Sequence, residues 1–559
     1  MRAVGPTCDA AAVTSSTEQA AGPRTPALVA SALDVRAGEK LLLYDAEIDV
    51  AAGRLCAVIG PSGAGKSTML RTLAGVQAPA HGHVTFDGDP VIDRVEEIGY
   101  VPFGDLVHPQ LTVREALDYA AALRLRDTSG TDRFARVDQV LERLHMTAQA
   151  DQRVGSLSDG QKRRVACGSE LVGRPSALVL DEPTTGLDPG LERRMMELLR
   201  ELADDGLAVV LSTHATGSLE LCDEIVVIGP GGRIRCTGTL DEVLRHFGTR
   251  SIDEVYAILE ESPREPVPER PHEVEVDAPY VPPRRSARRL PTATQITILT
   301  SRYRLCLARE RRSLAILIGQ APIIGIAIGA TLPTTILRNE SLGPFYGILV
   351  GFMLVIGALW LGLIGSCREV VREQDVLRRE VAVGVRLTPY LTSKVLVLFP
   401  LAALQSLLLV LPVALMQPPA GAGTQYLGIL GICIAAGWAG VAMGLWLSSA
   451  VRTPGQATTA VPLVLIPQLL LSGALIPIGA MSTVAKIASG AAVSRWGLAG
   501  NGSALDLSDR IGTEVRQVTG LDPAFFELGV PSALLGIAAL AAAALAAALL
   551  TLERRTVLQ

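Results

Sequence analysis

The stretch GPSGAGKST, from Gly60 to Thr68, decides the fold of the first half of this chain. It directly follows the apolar run LCAVIG (Leu55 to Gly60) and precedes a helical pattern, which is the strand, loop and helix order that a triphosphate cradle requires. Gly60, Gly63 and Gly65 let the backbone turn N–H groups toward phosphate oxygens, and the following helix points its positive end at the same anion. Pro61, Ser62, Ala64 and Thr68 complete the cradle. Lys66 is placed to meet the β- and γ-phosphates and Ser67 to ligate Mg²⁺. The expectation is a protein that handles ATP or GTP. Taken alone the loop does not name the machine, because unrelated motors, kinases and switches share it.

With 559 residues the chain is too long for one core and divides into several units. A formal net charge of only −5 gives no sign of a nucleic-acid partner. Hydrophobic residues make up 49% of the chain and its mean hydropathy is +0.35, with the apolar excess lying after about residue 313. The C-terminal half therefore belongs in a membrane. Eight cysteines are scattered without any C-x-x-C pair, so neither a zinc knuckle nor a disulfide framework is expected and the thiols read as buried in a reducing compartment. His81 and His83 stand close together without further ligands and read as a turn beside the strand pattern HVTFDG. The metal expected is Mg²⁺ with nucleotide.

Residues 1–26, rich in Ala, Thr, Ser, Gly and Pro, lack an uninterrupted apolar core and read as a disordered tail, not a signal peptide. From 27 to 261, strand-like runs (LCAVIG, ALVLD, AVVLST) alternate with amphipathic patterns such as RFARVDQVLERLHM, which predicts an α/β P-loop ATPase domain. Residues 262–291 carry proline and charge at the density of an extended linker. Residues 292–313 predict an amphipathic helix with a basic face, lying at the cytoplasmic surface and leading into the membrane.

Apolar runs at about 314–336, 345–366, 391–416, 425–448, 456–478 and 531–552 then predict an all-α polytopic domain of six transmembrane helices over 314–559. Basic residues before the first run, between the second and third, at Arg452 and at Arg554 and Arg555 place both termini and the ATPase domain in the cytoplasm of a multi-pass cell-membrane protein. The polar stretch within about 479–530 reads as an external loop. Pairs of glycines four apart (Gly325 and Gly329, Gly347 and Gly351, Gly440 and Gly444) allow close packing of spans, and Gln320, Gln405 and Gln468 call for hydrogen bonds between helices.

Further along the cassette, LSDGQ (Leu157 to Gln161) precedes ALVLDEP (Ala177 to Pro183), GLDP (Gly186 to Pro189) and STH (Ser212 to His214). This ordered set resembles the ATP-binding cassette (ABC) family, over nearly the whole chain. The resemblance implies that Asp181 holds Mg²⁺ through water, that Glu182 polarises the water attacking the γ-phosphate, and that His214 senses that phosphate. It also implies that Ser158, Gly160 and Gln161 reach across a dimer interface to the ATP of an opposite cassette. One cassette with six spans is half of the usual complement, so a second copy of the chain is the expected partner. A cassette N-terminal to its membrane domain, with IGYVPFGDLVHPQLTVREAL and SGALIP, resembles the G subfamily of half-transporters. That implies ATP-driven export of an amphipathic or lipid-like solute, with Trp360 and Gln468 as contacts.

The segment of about 367–388, CREVVREQDVLRREVAVG in its core, matches by resemblance the coupling helix, with Glu369, Arg372 or Glu373, and Glu380 reaching cassette groups. Two positions depart from the family. Phe103 stands where a glutamine that touches Mg²⁺ and the attacking water is usual, and Asp159 replaces the middle glycine of LSGGQ, adding negative charge near a partner's phosphates. Both predict slower closure and turnover. They also leave open a membrane-anchored nucleotide sensor, or the degenerate half of a heterodimer. Tyr44 lies near the place of the adenine-stacking aromatic, where a core tyrosine is an equal reading.

Overall fold

The computed structural model describes residues 27–261 and 290–557 apart from 39, 105–106, 126–128, 335, 420–422 and 512–521. The predicted N-terminal tail and nearly all of the predicted linker lie outside the described residues. By compactness the chain divides into Met1–Arg94, Ser176–Val179 and Met196–Glu273 on one side, and Val95–Pro175, Leu180–Met195 and Val274–Gln559 on the other. This division does not follow the predicted boundary at residue 261. The helical part of the cassette groups with the membrane domain.

In the first unit, β1 (Ala27–Ala37), β2 (Lys40–Ala51), β4 (His81–Phe86) and β5 (Asp89–Pro90) form an antiparallel sheet in the order β2-β1-β4-β5. His81 and His83 lie within β4 itself, not in a turn. A second sheet has the order β10-β9-β3-β8-β7, made of β3 (Leu55–Ile59), β7 (Ala177–Leu180), β8 (Ala208–Ser212), β9 (Glu224–Ile228) and β10 (Ile234–Gly238). β3 runs parallel to both β8 and β9. Strands covered on both faces must be apolar without alternation, and LCAVI, ALVL and AVVLS are buried at every position. Around them lie α1 (Lys66–Leu73), α6 (Leu240–Phe247) and α7 (Ile252–Glu261).

The second unit begins with β6 (Ile98–Val101), α2 (Val113–Arg124), α3 (Gly130–Arg143) and α4 (Asp159–Leu171); α5 (Pro189–Asp204) starts in it and ends in the first unit. Its membrane part comprises α8 (Thr292–Arg309), α9 (Arg311–Ala330), α10 (Gly343–Ser366), α11 (Gln374–Ala382), α12 (Leu387–Met416), α13 (Gln425–Ala450), α14 (Pro454–Leu470), α15 (Thr483–Ser489), α16 (Val493–Ala504), α17 (Leu507–Arg510) and α18 (Val530–Val557).

Among the described residues, five helices, starting at Arg311, Gly343, Leu387, Gln425 and Val530, are long and apolar enough to cross a membrane. The sixth expected span is α14, whose 17 residues reach about 25 Å at 1.5 Å per residue and which carries Pro462 and Pro467. Close packing follows the small residues. A Cβ at Gly440 would run into the Leu359 carbonyl, and one at Gly444 would lie 2.7 Å from the Leu363 carbonyl oxygen, so α13 meets α10 backbone to backbone. Ser366 Oγ donates to the Val441 carbonyl at 3.1 Å across the same seam.

The segment expected as an external loop is largely structured. α16 buries Val493, Leu498 and Ala499, and Asn501 Nδ2 donates to the Gly351 carbonyl of α10 at 3.0 Å. Its glycine-, serine- and asparagine-containing sequence reads as polar, yet small side chains are what let a short helix enter a crowded bundle. Gln405 Nε2 donates to the Leu317 carbonyl at 2.6 Å, as expected of an amide between spans. Gln468 is buried, and its Oε1 accepts from Ser494 N at 3.2 Å. A side chain so engaged is a packing group, which argues against the expected solute contact.

Candidate nucleotide site and coupling interface

The phosphate loop leaves the end of β3 and enters α1. Gly60 has φ +152° and Gly65 +106°; a Cβ on the first would collide with the Ile228 carbonyl, and one on the second would lie 2.7 Å from the Leu42 carbonyl oxygen. Crowding and backbone together restrict both positions to glycine. Gly63 differs from its two neighbours in the motif. It is exposed, and a Cβ there would meet nothing within 4 Å, so only its left-handed backbone, at φ +78°, calls for glycine. The loop is thus packed at its two ends and open at its tip, where a phosphate would approach.

Lys66 is buried and its Nζ donates to the carbonyls of Gly60 at 2.7 Å and Pro61 at 3.2 Å, which folds the ammonium over the loop. The loop therefore offers backbone donors and a positive head to an anion, the donor set suited to a triphosphate, with Ser67 next in line for a divalent cation.

At the end of β8, Thr213 is buried and His214 exposed. Tyr256 of α7 joins this strand end to the loop: its hydroxyl donates to the Thr213 carbonyl and accepts from Gly60 N, both at 3.4 Å, with its ring centroid 6.3 Å from that of His214. The sequence reading missed Tyr256, which stands outside every motif. The Tyr44 ring is covered by the Arg233 guanidinium at 4.5 Å.

In the second unit Asp181 follows β7 and is buried, its N–H donating to the Val101 carbonyl at 2.9 Å. Glu182 is held at φ +50°, a left-handed conformation that costs a non-glycine residue on the order of 1 kcal/mol or more. Thr185 Oγ1 donates to its Oε2 at 2.8 Å. Ser158 and Gln161 cap α4 reciprocally, Ser158 Oγ accepting from Gln161 N at 3.4 Å and Gln161 Oε1 accepting from Ser158 N at 3.0 Å. A Cβ at Gly160 would meet only ordinary contacts at 3.7 Å, so nothing inside the chain demands glycine there. Asp159 Oδ1 lies 2.9 Å from Lys162 Nζ, which offsets part of the negative charge that Asp159 adds.

Phe103 is 55% exposed and the Arg163 guanidinium sits 5.3 Å above its ring, while Arg163 Nη1 donates to the Gly104 carbonyl at 3.1 Å. The position of the missing glutamine is thereby tied to α4, two residues beyond the LSDGQ segment. The other end of α4 carries Glu170, buried, whose carboxylate accepts from Arg124 Nη2 at 2.6 Å and from Tyr100 N at 3.3 Å, with Arg379 Nε of α11 at 3.2 Å. Glu170 thus gathers β6, α2 and the predicted coupling helix on one carboxylate.

The expected coupling residues divide differently from the sequence reading. Glu380 forms a bidentate pair with Arg302 of α8, Glu369 accepts from the Tyr303 hydroxyl at 2.6 Å, and Arg372 donates to Glu310 at 3.0 Å. These three turn toward membrane-domain groups because α8 and the residue that follows it supply Arg302, Tyr303 and Glu310 as partners. Cassette contact is made by Arg379 and by Glu373, whose Oε1 lies 3.9 Å from His108 Nδ1. Glu373 is also 2.7 Å from the buried Lys394 Nζ, which lies 3.6 Å over the Tyr303 ring. The basic face expected of α8 is likewise not left for lipid: Arg302 is buried against Glu380, and Arg309 pairs with Glu115 of α2, Nη2 to Oε1 at 2.7 Å. Burial pushes the Glu115 carboxyl up, but the hydrogen bonds from Arg309 and Thr112 outweigh it and hold it below the usual range.

His108 is buried at this junction. Burial first, and then the Arg302 and Lys394 charges, push its imidazole down to about 4, against the pull of Glu373 and Glu380. It is neutral when folded at pH 7. Between pH 6.5 and 4 the unfolded chain takes up a proton that the folded chain refuses, so stability falls as pH falls through that window. The drop from 6.5 to about 4 caps this effect at about 3 kcal/mol. The melting temperature should therefore fall less with acid across this window in His108→Gln than in the wild type.

A phosphate loop on an α/β sheet, an acidic pair after a buried strand and a capped signature helix, followed by a bundle of membrane-length helices, define a nucleotide-binding cassette fused to a membrane domain. The chain belongs to the ABC transporter family: the ABC transporter family model matches residues 43–185 and the ABC-2 type transporter model residues 294–499. It is 33% identical over 506 residues to an ABC transporter ATP-binding/permease protein of Mycobacterium tuberculosis, covering 85% of this chain and 58% of that one. Over 207 residues it is 39% identical to Nod factor export ATP-binding protein I of Burkholderia lata (36% of this chain, 67% of the relative). Over the same length it is 35% identical to ABC transporter G family member 21 of Arabidopsis thaliana (35% and 31%). The chain spans little more than half the length of the mycobacterial relative. Cassette first and ABC-2 membrane domain second is the half-transporter order expected from the sequence.

Proposed function

We propose that the chain is an ATP-driven exporter that works as a dimer of two copies and moves an amphipathic or lipid-like solute out of the cytoplasm. The observation that carries this reading is Glu170, which ties the signature helix α4 to the coupling helix through Arg379 and so gives nucleotide-driven movement of the cassette a direct route into the membrane domain. Gly60 to Thr68 cradle the triphosphate, with Gly63 at the open tip, Lys66 meets its β- and γ-phosphates, and Ser67 and Asp181 hold Mg²⁺, which supplies charge neutralisation on the phosphates. Glu182 is the base that polarises the attacking water, and its left-handed backbone is the kind of strain that functional positions retain. His214 senses the γ-phosphate, steadied by Tyr256. Ser158, Gly160 and Gln161 complete the opposite copy's site. Both termini and the cassette face the cytoplasm.

A mass measurement in detergent tests the dimer: two copies of 58.9 kDa give about 118 kDa, whereas a single chain or a different partner would remove it. Lys66→Ala should lose ATP binding by at least about tenfold, measured by nucleotide titration of the protein in lipid. Phe103 favours a second reading, a membrane-anchored nucleotide sensor, because phenylalanine can neither ligate Mg²⁺ nor orient water. Phe103→Gln is expected to raise Mg-ATP turnover severalfold, and unchanged turnover would show that the substitution has no kinetic consequence.

A further inference from the structure

A cavity of about 1020 Å³ opens in the second unit beneath the membrane helices, bounded by the coupling segment and by the cytoplasmic ends of α13 and α18. Its acids are already engaged. Glu310 binds Arg372 at 3.0 Å, Asp375 lies 4.0 Å from Arg378, Glu373 lies 2.7 Å from Lys394, and Glu369 accepts from the Tyr303 hydroxyl. Arg452, Arg554 and Arg555 also line the cavity, and among the described residues none of these three has a carboxylate within 4.0 Å. Arg452 and Arg554 are exposed. Arg555 is fixed by donating to the Val451 carbonyl at 2.6 Å and to that of Ala450, and Arg378 and Arg452 lie close enough to repel it. Among the described residues, these three guanidiniums line one cavity without a carboxylate partner of their own.

We propose that this cavity binds the phosphate-bearing headgroup of an anionic lipid from the cytoplasmic leaflet. Guanidinium forks match phosphate oxygens in pairs, and basic groups at such a surface attract anionic headgroups. Depth points to a lipid over free phosphate. Arg452 follows the 26-residue apolar helix α13 by two positions, and Arg554 and Arg555 stand near the end of the 28-residue α18, so the cluster sits where apolar spans give way to water. The volume also exceeds what a phosphate ion fills and accommodates a headgroup with its glycerol.

The test titrates short-chain phosphatidylglycerol, short-chain phosphatidylcholine and inorganic phosphate separately into the full-length protein in neutral detergent, with bound species counted by native mass spectrometry. Phosphatidylglycerol should bind at least about tenfold more tightly than phosphatidylcholine, and Arg452→Gln/Arg554→Gln should remove that preference while leaving the melting temperature in phosphatidylcholine unchanged. Because both arginines are exposed, the variant keeps its fold; Arg452→Lys/Arg554→Lys, which keeps the charge, should retain part of the preference. Equal affinity for the two lipids, a preference that survives in the Gln variant, or full competition by inorganic phosphate at matched concentration would overturn the proposal.

Discussion

Glu182→Gln is expected to lower Mg-ATP hydrolysis at least about a hundredfold in lipid nanodiscs while leaving ATP affinity within about threefold. The substitution keeps the size and the hydrogen bond from Thr185 Oγ1 but removes the anionic oxygen that draws the proton from water. Phosphate loop and Lys66, which carry the binding, belong to a separate part of the chain and are unaltered. Steady-state phosphate release together with nucleotide titration separates the two effects. Hydrolysis that persists in the variant would move the role of base to another carboxylate, and lost binding would show that Glu182 shapes the pocket instead.

The second large effect is expected at Glu170. Removing its charge takes a carboxylate partner from the Arg124 and Arg379 guanidiniums, both largely buried, and breaking a buried ion pair from one side costs about 3–5 kcal/mol. Glu170→Gln should therefore lower the melting temperature by several degrees and slow ATP turnover, since α4 and α11 lose their common anchor. Pairing it with Arg379→Gln should recover part of the loss, because the remaining half of the broken pair is then removed as well. Strictly additive losses would show that the two side chains act independently, and the proposed route from signature helix to coupling helix would fail with them.

Much of this architecture was legible in the sequence because it is written in short-range spacing. GPSGAGKST, LSDGQ and ALVLDEP each hold their chemistry within a few residues, and apolar runs of membrane length announce helices whatever packs against them. Spacing did not show that Gly60, Gly63 and Gly65 serve different ends, since the strands that crowd the first and last and leave Gly63 open lie far along the chain or across a sheet. The coupling interface was not legible. Arg302 and Glu380 are 78 residues apart and Glu310 lies 200 residues from Gln110, so no window on the chain pairs them. Glu369, Arg372 and Glu380 looked ready to meet the cassette because a charged helix shows its acids and bases but not which neighbour supplies their partners; Arg302, Tyr303 and Glu310 supplied them. α16 was misread for a related reason, since in GLAGNGSA Leu498 stands among small and polar residues, and the burial of the segment depends on small side chains meeting α10 and α18. His108 and Lys394 gave no signal at all: a lone basic residue takes its meaning from the groups folded around it.

The central claim is that ATP turnover in the cassette drives solute across the membrane domain. Inside-out vesicles carrying the wild type, energised with Mg-ATP and compared by untargeted mass spectrometry with vesicles carrying Glu182→Gln, test it most directly. The account predicts that at least one amphipathic or lipid-like species accumulates in the wild-type vesicles and not in the variant. Active hydrolysis with no species distinguishing the two would contradict export and leave the sensor reading in its place.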